Sequence, residues 1–274
     1  MKYDLAILVV LYNSELEESE TINSLKKITN VDNVKIIIWN NGPKLIKEKE
    51  NFTIVNTIDN ISLAKIYNSF LNMCDAENYL FFDHDTIVSK ENLTNLIENS
   101  FKGITLPKVY NNNIVVYPFY EKGIYPFSKK TISIDDEIIN DGRLILSITS
   151  GLSIHNSIIE KIKTKFNDFF DERFKLYGVD TSFFLRSRTL KIPVKITGSI
   201  YHSLSRLTSE NSGLTKFREK ERAIDAILIL VNYPSLRTFV RAVKFFIKKN
   251  RLLKYYKYIF YCLKNKKHPN KDIH

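Results

Sequence analysis

The chain has 274 residues, 44% of them hydrophobic and 26% charged, which excludes a disordered chain and leaves room for one large core with an appendage. Its formal net charge of +11 is unevenly placed: residues 226–271 carry twelve Lys and Arg and no Asp or Glu, leaving 29 basic against 30 acidic residues elsewhere. A near-neutral body with a basic tail argues against a nucleic-acid-binding groove on the main domain.

Taken in order, Leu5 to Val10 is a continuous apolar run, the pattern of a strand buried on both faces. Ser14-Glu15-Leu16-Glu17 is a capping-box pattern that opens a predicted helix carrying Leu16, Ile22, Leu25 and Ile28. Val34 to Trp39 is a second strand, closed by the turn pair Asn41-Gly42, and Thr53 to Thr57 is a shorter third. Ser62 is the predicted cap of a helix with Leu63, Ile66, Tyr67, Phe70 and Leu71 on one face. Tyr79 to Phe82 is the fourth strand, and Leu93, Leu96 and Ile97 mark the next helix. Strands alternating with helices predict βαβ units, hence an α/β fold with a mainly parallel sheet.

From Gly103 to Asp141 the rhythm breaks, and Asn111-Asn112-Asn113, Pro118 and Pro126 point to irregular structure or hairpins. Leu144 to Ile148 reads as a strand ending at Thr149-Ser150-Gly151, Ser157 to Phe166 as a helix, Thr181 to Thr189 as another, and Ile192 to Ile196 as the last strand. Beyond Ser205 the chain is predicted to be helical. The expected division is a body of residues 1–210 and a helical, basic, amphipathic extension of residues 211–274. Cys74 and Cys262 fit neither a disulfide framework nor a zinc spacing, so a reducing compartment is expected. The run Leu5 to Leu11 is too brief for a signal peptide, and no run reaches the roughly 18 apolar residues of a membrane span. A soluble or peripheral cytoplasmic protein is the expectation.

The most informative stretch is Tyr79-Leu80-Phe81-Phe82-Asp83-His84-Asp85. Its apolar part reads as a buried strand, so both carboxylates sit where the strand leaves the sheet, and open α/β sheets bind ligands at that end. Carboxylates spaced i, i+2 can share a hard divalent cation, the usual partner of a diphosphate. The plain alternative is a polar turn after a strand.

Leu8-Val9-Val10-Leu11-Tyr12-Asn13, Trp39-Asn40-Asn41-Gly42, Asn60 to Asn68 and Asp83-His84-Asp85 follow one another in an order that resembles the inverting family 2 glycosyltransferases of GT-A fold. Ser150-Gly151, Phe170-Asp171-Glu172, Val179-Asp180-Thr181 with Arg186, and His202-Ser203 are similar to the rhamnosyltransferase branch, and the likeness spans about residues 3 to 205. It departs from the family at Asn40, where Asp is usual, at Ser62 for a common Gly, at Val179 for Glu and at Ser182 for a later acid. The resemblance implies a GT-A, nucleotide-diphospho-sugar transferase fold and a single-displacement reaction in bacterial surface-polysaccharide synthesis. Its donor would be dTDP-rhamnose, or a UDP-sugar carrying galactofuranose, glucose, galactose or N-acetylglucosamine. Its acceptor would be a hydroxyl of a glycan or lipid-linked glycan.

The resemblance also assigns roles. Asp180 matches the base, and its plain alternative is a helix N-cap; Asp171 and Glu172 are the next candidates. Asp83, Asp85 and His202 would hold Mg²⁺ or Mn²⁺, imidazole suiting Mn²⁺ better. Tyr12, Asn13, Asn40, Asn41, Asn60, Asn68, Asp83, His84 and Arg186 would attend the nucleotide or diphosphate. Strand alternation would turn His84 away from the two acids. Ser150, Gly151 and Tyr117 would lie on the acceptor side, with Tyr120 and Tyr125 as further parts of an aromatic platform.

A sugar nucleotidyltransferase would need a Gly-rich, Lys-bearing N-terminal loop that this chain lacks. An inactive glycan- or nucleotide-binding membrane scaffold is the alternative of another class, and the joint presence of Asp83, Asp85, Asp180 and His202 speaks against it. In the tail, Phe239, Val243, Phe246, Ile247, Leu252, Leu253, Tyr256, Ile259, Phe260 and Leu263 recur at helical spacing among cations. That pattern predicts docking on the anionic inner face of a membrane, or else packing on the body or on a second subunit of a homodimer. No nucleic-acid partner is expected.

Overall fold

The computed structural model describes residues 2–28, 33–47, 52–111, 113–122, 128–202 and 212–270, without the side chains of residues 212–215 and 249. Asn112, Tyr125, Pro126, Ser203 and the expected boundary at residue 210 lie outside these.

Strand β1 (Tyr3–Leu11) lies between β2 (Val34–Asn40) and β4 (Ala76–Asp83), with β3 (Thr53–Asn56) on the far side of β2, all parallel. Its run is apolar throughout because both faces are covered. Ala6, Leu8 and Val10 pack into one buried cluster, while Leu5, Ile7, Val9 and Leu11 pack into the other. Helices α1 (Glu20–Lys26) and α2 (Leu63–Met73) lie on opposite faces, since Ile22 and Leu25 join the second cluster and Ile66, Tyr67 and Phe70 the first. The short strand β5 (Thr86–Ile87) and helix α3 (Lys90–Glu98) follow the acid-bearing loop.

The middle segment holds β6 (Ile104–Asn111), β7 (Ile114–Tyr117), β8 (Phe119–Lys122), β9 (Ser128–Thr131) and β10 (Glu137–Ile139). Irregular structure or hairpins were expected there; β6 pairs antiparallel with β7 and β8 with β9, and β6 is in addition a central strand of the main sheet. Pro107 within it lacks a ladder N–H and breaks the local strand signal. Strand β11 (Ile145–Leu146) covers only part of Leu144 to Ile148 and joins β8 and β9 in a separate three-stranded sheet. The neighbour of β4 is instead β12 (Ser153–His155), antiparallel and without a distinct sequence signal. Helices α4 (Ile159–Phe166) and α5 (Gly178–Thr189) and strand β13 (Val194–His202) complete the body. The main sheet has the order β10-β13-β6-β12-β4-β1-β2-β3, with β5 on β13 and β7 on β6. An α/β fold with a central, mostly parallel sheet flanked by helices is therefore borne out.

Local capping differs from expectation at two places. Ser14 does not start a continuous helix: the Glu15 N–H donates to the Glu18 carboxylate at 2.9 Å over a short turn, and buried Ser19 caps α1 by accepting from Ile22 N–H. Ser62 precedes α2 without capping it, because its hydroxyl donates to the Phe174 carbonyl at 2.8 Å and ties α2 to the distant chain.

Beyond the body come α6 (Ser212–Asn232), α7 (Leu236–Ile247), α8 (Arg251–Lys254) and α9 (Tyr256–Asn265). Ala223, Ile224, Ile227 and Leu228 of α6 share one buried cluster with Phe170, Phe174 and Phe183 of the body. Ala242, Phe246, Tyr255, Ile259 and Cys262 close over them. Burial pushes the Cys262 thiol up to about 12, so it behaves as a core hydrophobe.

Candidate active site

Strands β1, β2 and β4 end side by side, since Val10 lies opposite Asp83 and Leu11 opposite Asn40. Beyond these ends opens a cleft of about 650 Å³, lined by Tyr12, Asn41, Asn60, Asp83, His84, Asp85, Tyr117, Asp180 and His202 among others. The loops are held by backbone pairing: Asn41 N–H donates to the Leu11 carbonyl and Asn13 N–H to the Gly42 carbonyl, each at 2.8 Å. Gly42 has φ +89°, and a Cβ there would sit 2.6 Å from the Ile58 carbonyl oxygen, so no other residue fits the turn.

Asp83, Asp85 and His202 come together, each able to offer one atom, with those atoms all within 4.8 Å of one another. His202 Nδ1 lies 3.3 Å from Asp85 Oδ1, and its Nε2 lies 4.0 Å from Asp83 Oδ2. The pairing of β13 with β5 brings His202 here, opposite Thr86, whose hydroxyl is 2.9 Å from Nδ1. Two carboxylates and one imidazole suit Mn²⁺, and the carboxylates alone suit Mg²⁺, so the donor set fits the expected ion. His84 is not part of that group but lies beside it. The strand ends at Asp83, a turn replaces it, and Asp83, His84 and Asp85 all line the cleft.

The acid loop is held from behind. Ser150 accepts from Asp83 N–H at 3.1 Å and lies 2.7 Å from the Thr86 hydroxyl, while Thr21 donates to the Asp83 carbonyl at 2.5 Å. Ser150 and Gly151 were expected on the acceptor side. Instead Ser150 is 1% exposed and neither residue lines the cleft. Gly151 has φ +85°, and a Cβ on it would meet Pro107 at 2.5 Å, so the pair serves close packing.

Helix α5 starts at Gly178, three residues earlier than expected, so Asp180 lies in its first turn and is not the N-cap. A carboxylate there is favoured by the helix dipole. The Thr149 hydroxyl donates to Asp180 Oδ1, and both face the cleft. Buried Asp225 of α6 packs against the start of the same helix, where a Cβ on Gly178 would lie 2.7 Å from its Oδ1; burial, then the charges of Glu221 and Asp180, push its carboxyl well up. Tyr67 also lines the cleft, and its hydroxyl is pushed well up, first by burial and then by Asp83 and Asp180.

Several residues expected at the donor make hydrogen bonds within the fold. Arg186 is 1% exposed, with Nη1 2.8 Å from Asp168 Oδ1 and Nη2 3.3 Å from Asp171 Oδ2. It also donates to the Asp168 and Phe169 carbonyls and to the Tyr233 hydroxyl. Asn68 donates to the Phe170 carbonyl and the Glu172 carboxylate. Asn40, 2% exposed, donates to the Lys44 carbonyl and to Asn56 Oδ1. Asp171 is fully buried and outside the cleft lining; burial would raise its carboxyl, but Arg173 and Arg186 outweigh that and hold it below the usual range. Tyr120 stacks under Arg143 and lies outside the cleft, whereas Tyr117 lines it.

Sequence reasoning missed Tyr67, Thr149 and the contribution of the basic extension. Tyr67 looked like one more apolar residue of a core stripe, and Thr149 only like a strand end. Phe217, Arg218 and Glu221 of α6 and Arg241 of α7 line the cleft, and Arg241 pairs with Glu121. Nothing local marks these residues.

No family model and no curated protein matches the chain. Among solved structures, one of S. aureus TarS matches with TM-score 0.50 and 15% identity, over 90% of this chain and 44% of TarS, so the chain spans less than half of that protein. Residues 1–349 of S. aureus TarS in complex with UDP-GlcNAc match with TM-score 0.53 and 15% identity, over 93% of this chain and 79% of that one. At that identity the likeness is one of fold, and this chain shares the fold of TarS residues 1–349.

Proposed function

We propose that the chain is a divalent-metal-dependent glycosyltransferase, inverting and family 2-like, that moves a sugar from a nucleoside-diphosphate donor to a hydroxyl of a glycan or lipid-linked glycan. One observation carries the reading: Asp180 and the Asp83, Asp85 and His202 group face a single cleft at the carboxyl ends of parallel strands. A carboxylate that can take a proton and a donor set that suits a diphosphate-bound cation are what this transfer requires. The UDP-GlcNAc complex of the fold neighbour TarS adds support for a nucleotide-sugar donor.

The acceptor hydroxyl attacks the anomeric carbon, the bond from that carbon to the diphosphate oxygen breaks, and Asp180 takes the hydroxyl proton. The Thr149 hydrogen bond and the first turn of α5 fix the carboxylate for that transfer. Asp83, Asp85 and His202 would hold the cation, which when bound supplies Lewis-acid stabilisation of the leaving diphosphate. Tyr12, Asn41, Asn60 and His84 line the same cleft and would attend the nucleotide.

Within this reaction the donor proposed from the sequence is dTDP-rhamnose. A UDP-sugar is the second reading, and the UDP-GlcNAc bound to TarS favours it. Among the described residues no helix is long and apolar enough to cross a membrane, and the station proposed is the cytoplasmic face of a bacterial cell membrane. A panel of dTDP- and UDP-sugars, read by nucleoside diphosphate release, tests the proposal. One donor should turn over, stop on chelation and resume with Mn²⁺. Full turnover in excess EDTA would remove the metal, and no release from any donor would remove the transferase reading.

A further inference from the structure

The C-terminal helices are apolar on two sides, and only one side is covered. In α7, Ala242 and Phe246 are buried, whereas Leu236, Phe239, Val243 and Ile247, at i, i+3, i+7 and i+11, face outward. In α9, Ile259 and Cys262 are buried, whereas Tyr256, Phe260 and Leu263, at i, i+4 and i+7, are exposed. Leu252 and Leu253 of α8 join them, and these nine side chains are 39% to 75% exposed. Leu252, Tyr256, Phe260 and Leu263 line an open groove of about 750 Å³ with Lys257 and Lys264 in its wall. Groups of large apolar side chains facing water on a folded surface mark an interaction site.

We propose that this outer face of α7, α8 and α9 docks on an anionic lipid surface, with the apolar side chains entering the headgroup layer and the lysines engaging lipid phosphates. The charge pattern selects the occupant. Lys244, Lys248, Lys257, Lys264, Lys266 and Lys267 are exposed, and residues 226–271 contain no carboxylate side chain. A second copy would bring the same patch to a twofold contact, setting cations against cations with no acid of that segment to offset them. A lipid surface of negative charge meets both halves of the pattern. Tyrosines suit the interface, and lysine stems let charge reach the headgroups while apolar side chains insert.

Helices α6 and α7 also line the catalytic cleft, through Phe217, Arg218, Glu221 and Arg241. Docking by the outer face of α7 thus brings the cleft to the lipid surface, which suits an acceptor carried on a lipid; this last step rests on the proposed transferase reading, whereas docking itself does not.

Removing the segment would strip Phe246, Ile259 and Cys262 from the core, so the test uses point variants of the full chain. The probe is flotation with vesicles rich in phosphatidylglycerol against vesicles of phosphatidylcholine alone, with melting temperature recorded. Binding should favour the anionic vesicles, weaken as salt rises, and fall by more than about tenfold in Lys257→Glu/Lys264→Glu. Leu253→Glu/Phe260→Glu should lose binding at unchanged melting temperature and keep turnover on a water-soluble acceptor. Failure to float with anionic vesicles at low salt overturns the proposal, as does equal binding to neutral vesicles. A lipid-independent dimer abolished by the same substitutions would also overturn it, and would make the face a subunit interface. Turnover without vesicle binding would refute docking alone, and vesicle binding without turnover on any donor would refute the transferase alone.

Discussion

Replacing Asp180 by Asn separates its chemical role from its structural one. The Asn side chain keeps an Oδ1 that can accept the Thr149 hydroxyl, and it remains at the third position of α5, so the local hydrogen bond survives. What disappears is the capacity to take a proton from the acceptor hydroxyl, along with a negative charge near the positive end of the helix. General-base assistance is worth about 10²–10⁴ in rate, or about 2.7–5.4 kcal/mol of barrier at about 1.36 kcal/mol per tenfold. Loss of the charge–dipole interaction costs about 0.3–1 kcal/mol of stability, too little to unfold a domain of this size. Turnover should therefore drop by about 10²-fold or more, while the melting temperature stays within a few degrees and nucleotide affinity is kept. Nucleoside diphosphate release under saturating donor and acceptor measures the first, and calorimetric titration of the nucleoside diphosphate measures the last. Retention of most of kcat by Asp180→Asn would show that this carboxylate only holds the start of α5.

Two further outcomes test the scaffold. Arg186→Met should destabilise the fold by about 1–3 kcal/mol, because it leaves the Asp168 and Phe169 carbonyls without their donor while Asp171 keeps Arg173, yet nucleotide affinity measured well below the melting temperature should not change; a selective loss of affinity would return Arg186 to the donor site. Glu219 has its carboxyl lowered from the usual 4.5 to about 2, first by the hydrogen bond from Lys254 and then by that from Arg251. Its folded-state value is depressed, so its contribution is complete above about pH 4.5 and is lost as pH falls towards about 2. The urea midpoint of wild type should exceed that of Glu219→Gln at neutral pH and converge with it in acid, and a gap that stays constant with pH would refute the link.

Much of the sheet and part of the site could be read locally. Leu5 to Val10 and Tyr79 to Phe82 are apolar without a break because both faces of β1 and β4 are covered, and two acids directly after such a run can only emerge at a strand end. That placed Asp83 and Asp85 correctly at the carboxyl edge, and the helical spacing around Ile66 and Phe70 placed α2. The remainder depends on partners far along the chain. Asn68 meets Phe170, 102 residues on, and Arg186 meets Asp168, Asp171 and Tyr233. A polar residue's sequence neighbours do not reveal whether it faces ligand or another part of the fold. Pro107 hid β6, and the three residues of β12 are too few for a periodic signal, because both strands are stabilised by the neighbours that cover them. Tyr67 shares its spacing with core residues, and only the placement of α2 beside the strand ends turns it toward the cleft. The tail shows most plainly where local pattern runs out. Its apolar positions wrap more than one face of each helix, and packing against α6 decided that Phe246 and Ile259 would be core while Phe239 and Phe260 would be left at the surface.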